Sequence, residues 1–404
     1  MRVLLKFDSV CCLEEAYLQL VNSQKCMQTQ VALKRIVYLN LILVFCFGCT
    51  QKESLGVFES EELNFRLEKI TDSIRVPFGM CFLPNGKMLV TNRFSGEILQ
   101  INVKSGKKRR LKGVPRSYCR GDGGALDILP HPDYEINGWL YFSHSIGDSI
   151  SSSMAVERFK LLGDSIVELQ RIFTASPFFK SPSHYGSRMA IKEGYLYFTM
   201  GDRYDLMDSA QTLNNHLGKV MRIFEDGQVP KDNPFYEVSG AKPEVWSYGH
   251  RNPQGLTLHP KTEELWLHEH GPKGGDELNR IEPGKNYGWP IICHGIDYDD
   301  TPIGDGITHM EGMEQPMYHY TPSIAPSGME FYTGEEFAEW EGNLFIGAMA
   351  LTHLNRLVLK DGKVIHEERL LEDFGRRVRV VREGPDGLLY LGVDGGMILR
   401  MVPL

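Results

Sequence analysis

The densest chemistry in the chain falls between residues 249 and 290. Gly249-His-Arg-Asn-Pro-Gln-Gly255 sets the guanidinium of Arg251 beside the amides of Asn252 and Gln254, a set that can meet a planar, anionic, oxygen-rich ligand through paired hydrogen bonds. The two amides flank Pro253, so a plain turn role stays open for them, above all for Gln254. His268-Glu-His-Gly-Pro-Lys-Gly-Gly-Asp-Glu277 follows, then Gly284-Lys-Asn-Tyr-Gly-Trp-Pro290. Backbone carbonyls freed by Gly271-Pro272, with carboxylates close by, are hard oxygen donors of the kind calcium takes. A zinc reading of His268 and His270 is open but weaker.

Groups spread over a long chain need a rigid frame to bring them together, and the frame is written as a repeat. Gly79–Gly86 with Met88–Thr91, Gly124–Pro130 with Trp139–Phe142, and Ser187–Ile191 with Tyr195–Thr199 share one pattern: an alternating strand, a turn, and a second apolar strand. Gly255–Pro260 with Leu265–Leu267, Gly328–Tyr332 with Asn343–Ile346, and Val378–Val381 with Leu389–Leu391 repeat it. Pro-Asn-Gly and Pro-Asp-Gly between the strands are hairpin chemistry. Six such units predict an all-β, six-bladed β-propeller with four-stranded antiparallel blades over residues 63–404, since a lone blade cannot bury both faces and the blades must close into a ring. Closure predicts that Phe65–Ile70 adds the outer strand to the blade near 378–402, with 50–62 as a linker. A β-sandwich or two smaller β-domains is the competing architecture. Spacing between units is shortest from the first to the second and longest from the third through the fifth. Long loops on the middle blades should therefore gather at one face of the axis.

Composition narrows the partners. The net charge of -8 over 404 residues argues against a general nucleic-acid or anionic-membrane binder, which needs basic patches. Of eight cysteines, only Cys81, Cys119 and Cys293 lie beyond the first fifty residues, so neither a disulfide scaffold nor a cysteine zinc site is indicated. Lys34-Arg35 followed by an apolar run to Phe47 reads as a signal peptide over 27–49. The run ends in Cys46-Phe-Gly-Cys49, where Cys49 is the expected lipidation site of a lipoprotein; cleavage without lipidation and an uncleaved anchor are the alternatives. Residues 1–26 read as a start-site extension ahead of Met27. The chain is thus expected to be exported, as a periplasmic protein or an outer-membrane-anchored lipoprotein, touching membrane only through that lipid.

In their order, the three motifs between 249 and 290, preceded by His184-Tyr-Gly-Ser-Arg188 and Gly201-Asp-Arg203, closely resemble the glucose/sorbosone dehydrogenase family, which includes the soluble aldose sugar dehydrogenases that use pyrroloquinoline quinone (PQQ). The resemblance runs from about Arg75 to the C-terminus. It implies PQQ and Ca2+ as cofactors, an aldose as substrate, and an external electron acceptor of quinone or cytochrome type that the sequence does not identify. It further implies that His184 is the general base on the anomeric hydroxyl, a task that suits imidazole, and that Asp202 orients it. Arg251 would stand beside the reactive quinone carbonyl, with Asn252, Gln254 and His270 around the cofactor. The carbonyls of Gly271 and Pro272 would hold calcium, and a second calcium would use the Glu277 carboxylate and the Tyr287 carbonyl. Arg377-Val-Arg379 resembles the family's Arg-x-Arg, which pairs with the cofactor's carboxylates. Two departures stand out: Gly347-Ala-Met-Ala350 has Ala350 where the family usually carries a cofactor-binding lysine, and Val380 stands where Asp is common. Lys273 and Arg376 are candidates to replace the missing cation. Two rival functions come with the fold, a non-catalytic sugar- or protein-binding propeller and a calcium-dependent propeller lactonase.

Overall fold

A computed structural model describes residues 52–404. The start-site extension, the signal peptide and Cys49 lie outside the described residues. Six sheets are present. The first blade is β3 (Pro77–Leu83), β4 (Lys87–Asn92), β5 (Glu97–Asn102) and β6 (Lys108–Arg110); the second is β7 (Ala125–Pro130), β8 (Leu140–Gly147), β9 (Ser152–Leu162) and β10 (Ser165–Thr174). The third holds β11 (Met189–Lys192), β12 (Tyr195–Met200), β13 (Lys219–Phe224) and β14 (Val245–Tyr248), and the fourth β15 (Pro253–Leu258), β16 (Leu265–Glu269), β17 (Asp276–Ile281) and β18 (Tyr318–Tyr320). The fifth is β19 (Pro326–Phe331), β20 (Leu344–Ala348), β21 (Leu354–Lys360) and β22 (Lys363–Leu370). The last combines β23 (Val378–Glu383), β24 (Leu389–Val393) and β25 (Met397–Pro403) with β2 (Asn64–Thr71) and β1 (Ser54–Glu59). All pairings within the sheets are antiparallel, and the six-bladed β-propeller expected from the repeats is the fold.

The expected closure is present: β2 pairs with β25, Leu67 opposite Met401. The stretch 50–62 is more than a linker, because β1 pairs with β2 and gives the last blade a fifth strand. Leu55 and Phe58 pack on the core of that blade, and Phe58 stacks on Phe65 at 6.0 Å. The reading missed it because a six-residue strand at a sheet edge carries little apolar signal.

Each repeat unit is the inner hairpin of a blade, and β3, β7, β11, β15, β19 and β23 pack against one another around the axis. Glycines in these strands allow the approach: a Cβ at Gly79 would sit 2.8 Å from Leu126 O, and one at Gly328 2.6 Å from Val380 Cα. The register shifts near the start of several inner strands, as between Pro77 and Met80 and between Ala125 and Ile128. Such bulges free backbone groups, and hydroxyls from the second strands take them up. Thr91 Oγ1 accepts from Gly79 N at 2.8 Å and donates to Leu126 O of the next blade at 2.6 Å. Ser143 repeats the arrangement between Asp127 N and Ser187 O.

Arg188, 1% exposed, ties the ring together from just before β11. Its Nε donates to Gln254 O at 2.8 Å, Nη1 to Phe78 O at 2.9 Å and to Asp127 Oδ1 at 3.4 Å, and Nη2 to Arg379 O at 3.3 Å. One guanidinium thereby joins the third blade to the first, second, fourth and sixth, a task that suits its planar fork of donors.

Candidate active site

The starts of the inner strands and the ends of the second strands meet at one end of the ring. A partly enclosed cavity of about 100 Å³ opens there. His184, Asn252, Gln254, His270 and Arg379 line it, together with Arg93, Asp122 and Met349, which the sequence reading did not single out.

His184 Nδ1 lies 2.7 Å from Asp202 Oδ1, and both side chains are buried. The carboxylate fixes the ring so that Nδ1 carries the proton and Nε2 is left as the basic nitrogen. Asp202 Oδ2 accepts from the Trp289 indole at 2.8 Å, and Asp202 Oδ1 also accepts from Tyr204 N. The backbone here is held in an unfavourable region: His184, Ser187, Arg203 and Tyr204 all have φ between 50 and 86°, a conformation that L-residues adopt only when their surroundings enforce it. Arg203 enforces it, donating to Ser183 O, Ser152 O, Ser152 Oγ and Ser181 O and stacking on Tyr185 at 4.0 Å.

Asp202 N donates to Arg251 O at 2.8 Å, which brings the second motif to the first. Arg251 Nη1 donates to Gly271 O at 2.8 Å and to His270 O at 3.2 Å; its guanidinium lies over Trp289 at 5.1 Å, and its buried Nε has no hydrogen-bond partner. Glu269 explains why the two motifs travel together. It accepts from His250 Nδ1 at 2.8 Å and from Arg251 N at 2.5 Å, clipping the Gly-His-Arg turn to the end of β16. Gln254 Nε2 donates to Asn252 Oδ1 at 3.0 Å; both amides line the cavity, and Gln254 does so from the start of β15 rather than from a turn.

His270 Nε2 donates to Pro326 O at 2.7 Å, and its Nδ1 receives Asn252 Nδ2 at 3.4 Å. Burial, with the Arg251 charge adding to it, pushes this imidazole down to about 3, so it stands neutral in the wall. His268 is different: it is wholly buried, neither ring nitrogen has a partner, and a Cβ at Gly255 would sit 2.2 Å from its Nε2. It packs into the space the glycine leaves. Among the described residues no group of three or more His, Cys, Asp or Glu is placed to hold a metal, so the zinc reading of His268 and His270 falls.

Gly271 and Pro272 sit in a turn fixed by Asp276, which accepts from Gly271 N, Ile324 N and Ala325 N and from the Ser323 hydroxyl. Burial still pushes that carboxyl up to about 6. Glu277 lies on β17 with Asn279 Nδ2 at 3.1 Å; burial and the neighbouring Glu269 charge push it well up. Tyr287 is buried and stacked on His250 at 4.7 Å.

The Arg-x-Arg pair separates. Arg379 reaches the cavity, where its Nε and Nη2 grip Asp394 at 2.8 and 2.9 Å. Arg377 is exposed just before β23 and is not among the cavity-lining residues. The bulge between Val378 and Val380 breaks the strict alternation on which a shared face depends. Neither Lys273, paired with Asp300, nor the exposed Arg376 lines the cavity. The donors and cations that do line it fit a flat polyanionic ligand: Arg93, with a buried, unpartnered Nε, stands there with Arg379 and two amides, while Arg251, whose Nε is also unpartnered, is not among the lining residues.

The chain is 37% identical over 345 residues to aldose sugar dehydrogenase YliI of Escherichia coli strain K12, covering 83% of this chain and 92% of that protein. The crystal structure of the soluble aldose sugar dehydrogenase from Escherichia coli in the apo-form superposes with a TM-score of 0.81 at 36% identity, over 84% of this chain and 100% of the other. The PQQ-bound aldose sugar dehydrogenase from Streptomyces coelicolor does so with a TM-score of 0.68 at 26% identity, over 88% and 100%. The glucose/sorbosone dehydrogenase profile matches residues 74–400, and with a propeller of this form and a His–Asp pair at its mouth, the chain belongs to the glucose/sorbosone dehydrogenase family.

Proposed function

We infer that this protein oxidises the anomeric carbon of an aldose to the lactone, with PQQ as electron acceptor. The observation that carries the reading is the His184–Asp202 pair, 2.7 Å apart, at a cavity walled by guanidiniums and amides. The family and its two named aldose sugar dehydrogenases support it. When bound, the quinone supplies the two-electron acceptor for the hydride leaving the sugar. His184 Nε2 takes the proton of the anomeric hydroxyl, and Asp202 stabilises the imidazolium that results. Arg251 places positive charge where negative charge develops on oxygen. Asn252, Gln254, His270 and Arg379, which line the cavity, would hold the acceptor there.

Calcium belongs to the same proposal. The Gly271 and Pro272 carbonyls are hard donors in a turn that Asp276 holds rigid, although Arg251 already donates to the first of them. A second cation at the Glu277 carboxylate and the Tyr287 carbonyl would relieve the burden of two neighbouring acidic groups. The same proposal has electrons leave to an external quinone or cytochrome, and has the protein exported by its N-terminal signal as a periplasmic protein or an outer-membrane lipoprotein with its lipid at Cys49. The test is to titrate purified protein with PQQ and calcium, then follow dye reduction and lactone formation with a panel of aldoses. Quinone-dependent oxidation is expected; a protein that shows no affinity for the quinone, or that binds it and oxidises no aldose, overturns the reading.

A further inference from the structure

We propose that Arg93 is the cation that receives the anionic groups of the cofactor, in the role left open by Ala350. The proposal rests on the quinone reading above and assigns to it a residue from a different blade. Arg93 follows β4 in the first blade and lines the cavity beside Arg379 of the last. Its side chain is about nine-tenths buried, and its Nε has no hydrogen-bond partner. Among the described residues its one ion pair is a loose approach of Nη1 to Asp122 Oδ1 at 3.8 Å. A guanidinium so enclosed normally finds carboxylate or carbonyl partners, as Arg188 and Arg203 do here.

The other cations near the site are already committed. Asp394 grips Arg379 in a bidentate pair, and Arg251 donates to two carbonyls. Arg93 thus offers charge that the protein has not neutralised. Burial, and next the positive charge of Arg379, weaken its hold on the proton. Two like charges facing one space from opposite sides of the ring closure repel each other until an anion enters between them. The Arg93 ring contacts, Phe94 at 4.9 Å and Phe78 at 6.0 Å, keep the guanidinium in place and leave its edge to the cavity. Asp122 does not cancel this charge: its side chain is 45% exposed, and its Oδ2 accepts from His184 N at 3.2 Å.

The experiment measures PQQ affinity of the protein freed of cofactor, by calorimetry or tryptophan quenching, for the wild type, Arg93→Gln and Arg93→Lys, with a thermal melt of each. Arg93→Gln is expected to weaken binding about tenfold or more, the size of a lost charged hydrogen bond, while Arg93→Lys stays within a few-fold of wild type. Arg93→Gln binding as tightly as wild type overturns the proposal. So does Arg93→Lys binding as poorly as Arg93→Gln with an unchanged melt, because shape rather than charge would then be at work. A wild type without affinity fails the quinone reading itself, and this proposal with it.

Discussion

The Trp289 indole donates to Asp202 Oδ2 at 2.8 Å while Asp202 Oδ1 holds His184 Nδ1 at 2.7 Å. A carboxylate held at both oxygens keeps one plane, and so does the imidazole it steers. Trp289→Phe should lower kcat about tenfold and leave quinone affinity nearly unchanged. Steady-state kinetics beside a binding titration separates the two effects.

His184→Ala removes the proton acceptor without touching the cations of the cavity. Turnover should fall by about 10²–10⁴-fold, with PQQ affinity retained. An unchanged kcat would remove His184 from the mechanism.

Arg188→Met breaks the link among five blades and leaves Asp127 buried without its partner. Loss of one member of a buried charged pair typically costs about 3–5 kcal/mol. Urea unfolding should show a loss of that order. A change below about 1 kcal/mol would mean that the ring does not depend on this contact.

Acid should loosen the wall of the cavity through His270. Its folded value, about 3, lies below that of an unfolded histidine, so the unfolded chain takes up a proton that the folded chain refuses. The stability it gives is therefore present above pH 6.5 and is lost as pH falls from there toward 3. By pH 5 the loss is roughly 1–2 kcal/mol, discounted for the ring's contact with solvent. Thermal midpoints of wild type and His270→Gln, compared at pH 7.5 and pH 5, should show the wild type falling more steeply.

Calcium should raise the thermal midpoint by mass action on the folded state, and a chelator should reverse the rise. If Glu277 is a ligand, Glu277→Gln will blunt the response; an undiminished response places the ion elsewhere.

The blades were legible because the inner hairpins repeat an alternating pattern with turn residues at fixed places, and closure by β2 followed from Phe65–Ile70. The edge strand β1 was not, since Ser54–Glu59 has only two residues that pack on the core. At the site, residues inside tight motifs could be read in order: His184 and Asn252 line the cavity, Asp202 holds His184, and Arg251 is joined to Asp202 through its backbone. Arg93 and Asp122 stand alone in otherwise ordinary loops, and only the ring brings them to the site; Met349 was inside a quoted stretch but stood beside Ala350, where attention fell on the missing lysine. Glu269 and Trp289 were inside quoted motifs, and a buried carboxylate and indole each need a partner, which was the signal available. Arg377 misled because a bulge interrupts the period of two.

Arg93 comes from the first blade and Arg379 from the last, so these two cations become neighbours only when the ring has closed and β3 packs on β23. Affinity for a polyanion is then a property of the finished circle rather than of any segment of it. On the proposal that PQQ loads between the two arginines, a nascent chain still missing its last residues lacks that site, and uptake of PQQ would report the final step of folding.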